Sequence, residues 1–238
     1  MMHAPCPLRR VAMLKYRHSS GSNEVAMEIE MGAGNPRTPA AGHRGDRLEQ
    51  GQWLNAPAEH AFDASGALHL LTGANTDFWR ETHYGFTRDS GHFLGIRTPS
   101  AFTCQFRIRG TYEALYDQAG LMVRVDAQHW VKAGIEVSDG HAMLSSVRTD
   151  GCSDWATAPY GDDPADFWMR ATVSNAVLRL QVSRDGRQWP LVRLCPLPAA
   201  SHYWAGPMAC SPERGGLRVS FSDWTLGPAS LKDLHDLT

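Results

Sequence analysis

The stretch that decides the fold is "AGLMVRVDAQHWVKAGIEV", residues 119–137. Apolar side chains recur at every second position in both of its halves, at Ala119, Leu121, Val123 and Val125 and again at Val131, Ala133, Ile135 and Val137. A period of two with branched apolar residues on one side is typical of half-buried β-strands. The sequence therefore predicts two neighbouring strands that form an antiparallel hairpin.

The connection between these strands decides which side chains lie opposite each other. A five-residue connection, 125–129, pairs Arg124 with Trp130 and Gln118 with Glu136. A three-residue connection would place Arg124 opposite Lys132, and like charges in directly opposed positions destabilise a sheet. We therefore predict the first register, which gathers Gln118, Arg124, Trp130, Lys132 and Glu136 on the face turned away from the core.

Alternating runs continue along the chain, at 67–72, 102–110, 167–175, 176–186 and 216–224. In "FTCQFRIRG", residues 102–110, the apolar side includes Cys104, which reads as a small buried hydrophobe. Many short strands separated by turns are typical of an all-β sandwich or barrel. The number of strands favours a jelly-roll sandwich of two antiparallel sheets over a smaller domain.

Composition divides the chain into three parts. Residues 1–48 are rich in Gly, Pro, Ala and Arg without a period, which predicts a flexible N-terminal extension. The jelly-roll domain is predicted to span 49–228, and residues 229–238 to form a tail or a short helix.

Charge, hydropathy and cysteine usage indicate the setting. The net charge of −2 gives no basic field for nucleic acid, and no 18-residue apolar run predicts a membrane span. Five cysteines without C-x-x-C spacing fit a reducing compartment. Because the N-terminal apolar piece is too short for a secretory signal, we expect a cytoplasmic protein.

The polar face of the hairpin has two interpretations. Flat rings cover the apolar side of a sugar while charged and amide groups bind its hydroxyls, so this face suits a carbohydrate or another polar small molecule. Alternatively, these side chains are solvated and Arg124 covers Trp130 by cation–π contact. Trp155 and, by matching alternation on a later strand, Trp168 and Arg170 are further ligand-binding candidates.

The segment "TDFWRETHYGF", residues 76–86, follows a predicted strand and opens an irregular passage. An Asp77–Arg80 pair is predicted to brace this passage at the rim of the sheet, with Arg80 within reach of a ligand. Phe78 and Trp79 are adjacent in an extended chain and therefore face opposite ways. We expect Trp79 to contact the ligand.

Several motifs in order carry a resemblance to a known family: "WLNAP" (53–57), "TDFWRETHYGF" (76–86), "YDQAGLMVRVDAQHWVKAGIE" (116–136), "TDGCSDWA" (149–156), "SRDGRQW" (183–189), "GPMACSP" (206–212) and "VSFSDW" (219–224). Together they resemble the uncharacterised family described as regulation-of-enolase proteins of the concanavalin A-like lectin/glucanase superfamily. The resemblance covers about residues 52–227, and the block from Tyr116 to Glu136 is its most specific part. It implies a concanavalin A-like jelly roll with a concave sheet and, by fold analogy, carbohydrate-type ligands. It also implies a metabolic enzyme as a partner.

Three functional hypotheses remain open. The first is a carbohydrate-binding domain without catalysis; the second is a cytosolic interaction module acting on a metabolic enzyme. The third is a glycoside hydrolase or lyase using Glu136, which needs a second carboxyl group about 5–10 Å away. Because the same-face neighbours of Glu136 are not acidic, only Asp117, Asp126 or Asp154 could supply it from loops. No metal-ligating spacing, cofactor loop or nucleophile–histidine pair is evident, so we expect neither metal nor cofactor.

Overall fold

The computed structural model describes residues 47–238, so the predicted N-terminal extension lies almost entirely outside the described residues. The described chain contains a single 3₁₀ turn, Leu48–Gln50, and sixteen strands. In chain order the strands are β1 (Gln52–Leu54), β2 (Glu59–Phe62), β3 (Leu68–Leu71), β4 (Phe78–Arg80), β5 (Thr87–Asp89), β6 (His92–Pro99), β7 (Phe102–Gly110), β8 (Gln118–Arg124), β9 (His129–Ser138), β10 (His141–Asp150), β11 (Cys152–Pro159), β12 (Asp166–Ser174), β13 (Val177–Ser183), β14 (Leu191–Pro196), β15 (His202–Cys210) and β16 (Arg218–Gly227).

The strands form two seven-stranded antiparallel sheets that pack as a sandwich. The front sheet has the order β1-β6-β15-β8-β9-β10-β11, and the back sheet has the order β14-β13-β12-β7-β16-β3-β2. The two remaining strands, β4 and β5, form a separate hairpin. The predicted all-β sandwich of two antiparallel sheets is confirmed.

The core lies between the two sheets and is built from the alternating apolar positions. The inward side of β7, predicted from "FTCQFRIRG", is completely buried at Phe102, Cys104, Phe106 and Ile108. Leu121 on β8 and Ile135 on β9 contact the same cluster from the front sheet. Branched and aromatic side chains on both inner faces give a continuous apolar core, which drives the two sheets together.

The β8–β9 hairpin has the predicted register. Arg124 lies opposite Trp130, Met122 opposite Lys132, and Gln118 opposite Glu136. These side chains share the outer face of the front sheet, because the inward positions alternate with them along each strand. The like-charge argument therefore selected the correct register.

The β4–β5 hairpin, here called the cover hairpin, packs on the outer face of the front sheet. Phe78 and Trp79 of β4 belong to a second apolar cluster with Trp130 of β9 and Val147 of β10. This cluster is separate from the core between the sheets. The front sheet is therefore buried on both sides where the cover hairpin lies.

Two features differ from the sequence expectations. Several strands were not predicted, namely β1, β2, β4, β5, β6, β10, β11, β14 and β15. In β15, the central Gly206–Pro207 is typical of a strand breaker. Residues 228–238 form bends and turns, so the short helix that was one alternative for the C-terminus does not form. No helix within residues 47–238 is long and apolar enough to cross a membrane.

Candidate functional site

The cover hairpin is held to the front sheet by an apolar contact at its base. Phe78 is fully buried, and its ring lies 6.0 Å from that of Trp130, which is only 1% exposed. Trp130 was predicted to lie on an exposed surface as a ligand contact, and this prediction is wrong. Trp130 does lie on the outer face, but Phe78 covers it, so the tryptophan anchors the hairpin.

Polar contacts complete the attachment. Both terminal nitrogens of Arg124 donate to the Asp89 carboxylate, at 2.9 and 2.8 Å. Arg80 Nε donates to the Gly151 carbonyl at 2.9 Å, and its backbone N–H donates to the Ser153 hydroxyl. Arg124 and Arg80 therefore stabilise the hairpin and do not line the pocket described next, which corrects their assignment to ligand binding.

A pocket of about 220 Å³ opens between the cover hairpin and the strands of the front sheet. Its polar floor comes from β8 and β9, and aromatic side chains form most of its walls. The lining residues are Asn75, Asp77, Trp79, Tyr84, Phe86, Arg88, Tyr116, Gln118, Lys132, Glu136, Val147, Trp155, Pro212 and Glu213.

One half of the floor is a buried network around Lys132. Its ammonium donates to Asp77 Oδ1 at 3.0 Å and to Gln118 Oε1 at 2.7 Å. Burial alone lowers the pKa of Lys132, but the nearby negative charges, of which Asp77 is the strongest, outweigh it and raise this pKa overall. Lys132 therefore stays protonated. Asp77 pairs with Lys132 rather than with Arg80, so the predicted Asp77–Arg80 brace is wrong.

The other half of the floor is the carboxyl group of Glu136. Ser145 Oγ donates to Glu136 Oε2 at 2.5 Å, and the Trp155 indole N–H donates to the same oxygen at 3.2 Å. Burial raises the pKa of Glu136, although Lys132 and these two donors act in the opposite direction. Within residues 47–238, Oε1 of Glu136 makes no hydrogen bond, and it belongs to a side chain that lines the pocket.

The pocket walls are mostly aromatic. Trp79 is 7% exposed, and its indole N–H donates to the Thr82 carbonyl at 3.0 Å. Tyr84 and Phe86, on the turn between β4 and β5, stack at 5.4 Å and remain partly exposed at the mouth. Arg88 lies over the Phe86 ring at 5.1 Å. The turn thus brings rings from one short segment to one side of the pocket.

The structure brings five of the predicted ligand residues together: Trp79, Gln118, Lys132, Glu136 and Trp155 all line the pocket. Trp168 and Arg170 do not, because β12 belongs to the back sheet. Arg170 donates to Gln105 of the same sheet at 2.8 Å and lies 3.8 Å from the centre of the Trp189 ring, in the connection between β13 and β14. Their alternation was read correctly, but it does not reveal which sheet a strand joins.

The three loop carboxylates considered as partners of Glu136 lie elsewhere. Asp117 is fully buried against Arg214 and Ser211, Asp126 contacts His129, and Asp154 pairs with Arg193. None of the three lines the pocket. The second inner carboxylate of the pocket is instead Asp77, which is engaged by Lys132.

Several lining residues were not predicted from the sequence: Asn75, Tyr84, Phe86, Arg88, Tyr116, Val147, Pro212 and Glu213. Tyr84 and Phe86 were visible as an aromatic excess in "TDFWRETHYGF", but nothing local shows which rings turn towards the sheet. The described residues contain no group of His, Cys, Asp and Glu side chains that could hold a metal ion.

The chain matches a known family over most of its length. The family model described as "Protein of unknown function (DUF1349)" matches residues 53–229. The chain belongs to this family. Regulation of enolase protein 1 of Saccharomyces cerevisiae is 63% identical over 191 residues, which cover 80% of this chain and 96% of that relative. The resemblance inferred from the motifs is thereby confirmed.

Solved structures extend the comparison. A functionally unknown protein from Saccharomyces cerevisiae is 62% identical with a TM-score of 0.76, covering 78% of this chain and 100% of the other. A xylan beta-1,4-xylosidase from Bacillus halodurans is 15% identical with a TM-score of 0.57, covering 80% of this chain and 40% of the enzyme. At that identity, the likeness to the xylosidase concerns the fold alone.

Proposed function

We propose that the pocket binds a small carbohydrate or another polyhydroxylated molecule without catalysing a reaction. The observation that carries this proposal is the meeting of aromatic walls with a prearranged polar floor in one pocket. Rings supply flat apolar surface for the C–H face of a sugar, and fixed polar groups supply direction and specificity.

Three polar groups at the floor have hydrogen-bonding capacity left for hydroxyl groups. Lys132 has three N–H donors, and two of them are used by Asp77 and Gln118. Among the described residues, Asp77 Oδ2 and Glu136 Oε1 accept no hydrogen bond, although the other oxygen of each carboxylate does. A polyol is the ligand type that offers both donors and acceptors to such a set.

The contacts of Asp77 and Glu136 favour binding over hydrolysis. Asp77 is held by Lys132 and by the backbone N–H of Phe78, at 3.0 and 2.7 Å. Glu136 is tied to the sheet by Ser145 and Trp155. The carboxylates that a glycosidase mechanism would recruit from loops are engaged elsewhere. These fixed partners suit side chains that position a ligand.

Calorimetric titration with a panel of monosaccharides, disaccharides and polyols tests the proposal. We expect at least one saccharide to bind, and Trp155→Phe to weaken binding about tenfold, which is about 1.4 kcal/mol. Trp168→Phe is the matched control, because this tryptophan lies on the back sheet. No binding at millimolar saccharide, or equal losses in both variants, would contradict the proposal.

Analysis of the titrated sugars checks for catalysis. We expect every oligosaccharide to be recovered intact after prolonged incubation. Cleavage that disappears in Glu136→Gln would instead support the glycoside hydrolase or lyase hypothesis.

A second candidate function rests on the relative named Regulation of enolase protein 1, which matches 80% of this chain at 63% identity. We propose that the chain also binds enolase, with the cytoplasm as the expected location. Purified enolase and purified protein should form a complex in analytical ultracentrifugation and change the rate of the enolase reaction. Two independent sedimenting species at micromolar concentration would contradict this candidate.

A further inference from the structure

Four rings of the pocket are arranged as a box, here called the aromatic box: Trp79, Tyr84, Tyr116 and Trp155. Trp79 meets Tyr84 at 5.6 Å and 74°, and Trp155 at 6.4 Å and 89°. Trp155 meets Tyr116 at 6.4 Å and 72°, and the hydroxyls of Tyr116 and Tyr84 approach to 3.3 Å. Each ring therefore contacts two others, and neighbouring rings in contact stand nearly at right angles.

One charged side chain beside the box, Glu136, lacks a direct counter-charge in the described part of the chain. Lys132 compensates Asp77 directly, while Arg88 and Glu213 carry opposite charges at the exposed edge. Glu136 has no cationic side chain within ion-pair distance among residues 47–238. It is nevertheless buried, and the Trp155 ring of the box donates directly to its carboxylate.

We propose that the aromatic box and Glu136 together bind an ammonium group, so that the ligand is a polyhydroxylated amine such as an amino sugar. Aromatic rings attract a cation through the negative potential of their faces, and a box of several rings is a recurrent means of ammonium recognition. Glu136 Oε1 would add a charge-assisted hydrogen bond to the same group.

The opposite ligand charge fits poorly. An anionic group beside Glu136 and Asp77 would meet like charges, and the positive charge of Lys132 is already compensated by Asp77. Because burial raises the pKa of Glu136, a nearby cation also compensates the cost of ionising this carboxyl group. This inference rests on the proposed binding function and narrows its ligand class.

Matched ligands separate the ammonium group from the sugar. Titrations would use glucosamine, glucose, N-acetylglucosamine and choline, at a pH where the amine of glucosamine is protonated. Glucose lacks the amine and N-acetylglucosamine carries it as a neutral amide. We expect glucosamine to bind at least about tenfold more tightly than either, which is about 1.4 kcal/mol.

Matched variants assign this preference to residues. Glu136→Gln keeps the shape and the acceptor for Ser145 and Trp155, and it should remove most of the preference for glucosamine over glucose. Tyr84→Leu removes a partly exposed ring and should weaken glucosamine binding about threefold, while Tyr84→Phe should retain it. Glu59→Gln, on the back sheet, is the control for the loss of one negative charge. A urea unfolding curve establishes that each variant is folded. If Glu136→Gln does not fold, the comparison of Tyr84→Leu with Tyr84→Phe tests the inference in its place.

The outcomes distinguish this inference from the function on which it rests. Equal affinities for glucose and glucosamine would overturn the ammonium inference and leave carbohydrate binding intact. Binding of choline without any sugar would support ammonium recognition and overturn the polyhydroxylated ligand. A lack of binding by all four compounds would overturn the ammonium inference, whereas carbohydrate binding would be overturned only if the whole saccharide panel also failed to bind.

Discussion

Each sheet of the sandwich carries a tryptophan and an arginine on the face turned away from the core. They are Trp130 and Arg124 on the front sheet, and Trp168 and Arg170 on the back sheet. On the front sheet they are buried, at 1% and 8% exposure, because the cover hairpin lies over them. On the back sheet they are half-buried, since no such hairpin covers β12 among the described residues.

The difference shows how a pocket arises in a sandwich that has two similar outer faces. Alternation along a strand makes one face polar, but it does not enclose a ligand. Enclosure on the front sheet comes from the segment 73–91, which crosses the polar face and adds aromatic walls. The candidate site is therefore shaped by a loop positioned on a rigid scaffold.

The largest difference in stability between matched variants of the two sheets is expected when a glycine is replaced by alanine. Gly134 of β9 lies opposite Gly120 of β8, and a Cβ at residue 134 would overlap the carbonyl oxygen of Ala119. Gly134→Ala should lower the free energy of unfolding by about 3 kcal/mol through overpacking. Gly227→Ala, at the end of β16 on the back sheet, is the control because its Cβ would meet nothing within 4 Å. Urea denaturation measures both, and similar values for the two variants would contradict this account.

The next contrast concerns one carboxylate on each sheet. Asp89 holds Arg124, whose side chain is 9% exposed, whereas Asp166 holds Arg107 and Arg109, which are 33% and 47% exposed. Asp89→Asn should destabilise by about 2 kcal/mol, because it leaves a buried guanidinium without its counter-charge. Asp166→Asn should cost at most about 1 kcal/mol, since exposed pairs contribute little. Chemical denaturation of both variants tests this order, and a larger cost at Asp166 would refute it.

The fold was predictable from sequence wherever local alternation carried the information. Cys104 was correctly placed in the core, and the pairing of Gln118 with Glu136 was correctly predicted from the charges of one hairpin. These conclusions need only neighbouring residues and the period of a strand. Several strands were not predicted, and β15 is the clearest case, because Pro207 stands at its centre, where only long-range pairing identifies a strand.

In the candidate site, the polar residues of β8 and β9 were predictable from sequence, whereas the position of the cover hairpin was not. Lys132 and Glu136 follow from alternation, yet the partner of Lys132 is Asp77, which is 55 residues away in sequence. Trp130 was expected to be exposed, because no residue near it in sequence indicates that the ring of Phe78 covers it. Pairing over such distances depends on how the loops fold back, which no periodic pattern encodes.

A smaller effect is expected from pH at the base of the segment that covers the front sheet. His92 accepts from the Gly73 N–H at 2.9 Å through Nε2, and its Nδ1 lies 2.6 Å from the Asn55 carbonyl, so the ring is neutral with the proton on Nδ1. Burial lowers the pKa of His92 below its ordinary value of 6.5, despite the raising effect of the Asn55 carbonyl.

The unfolded chain therefore takes up a proton near pH 6.5, whereas the folded protein resists it until a lower pH. The contribution of His92 to stability is fully present above pH 6.5 and is lost as the pH falls through the lower pKa of the folded state. Urea midpoints measured between pH 7.5 and 5.5 should decrease, and the decrease should be shallower in His92→Gln. An equal slope in this variant would exclude His92 as the cause.

The smallest difference in stability is expected from substitutions in two turns of the same type. The β9–β10 turn of the front sheet uses Asp139–Gly140, with φ of 54° and 78°, and the β12–β13 turn of the back sheet uses Asn175–Ala176, with φ of 50° and 57°. Both are two-residue turns with positive φ at each position, which favours glycine at the second. Ala176→Gly should therefore stabilise the protein by about 0.5–1 kcal/mol, because the relief of the left-handed conformation exceeds the added freedom of the unfolded chain. Gly140→Ala, where an added Cβ meets nothing within 4 Å, should destabilise by a similar amount. Thermal unfolding of the two variants should shift in opposite directions, and a shift of the same sign would show that φ does not govern these turns.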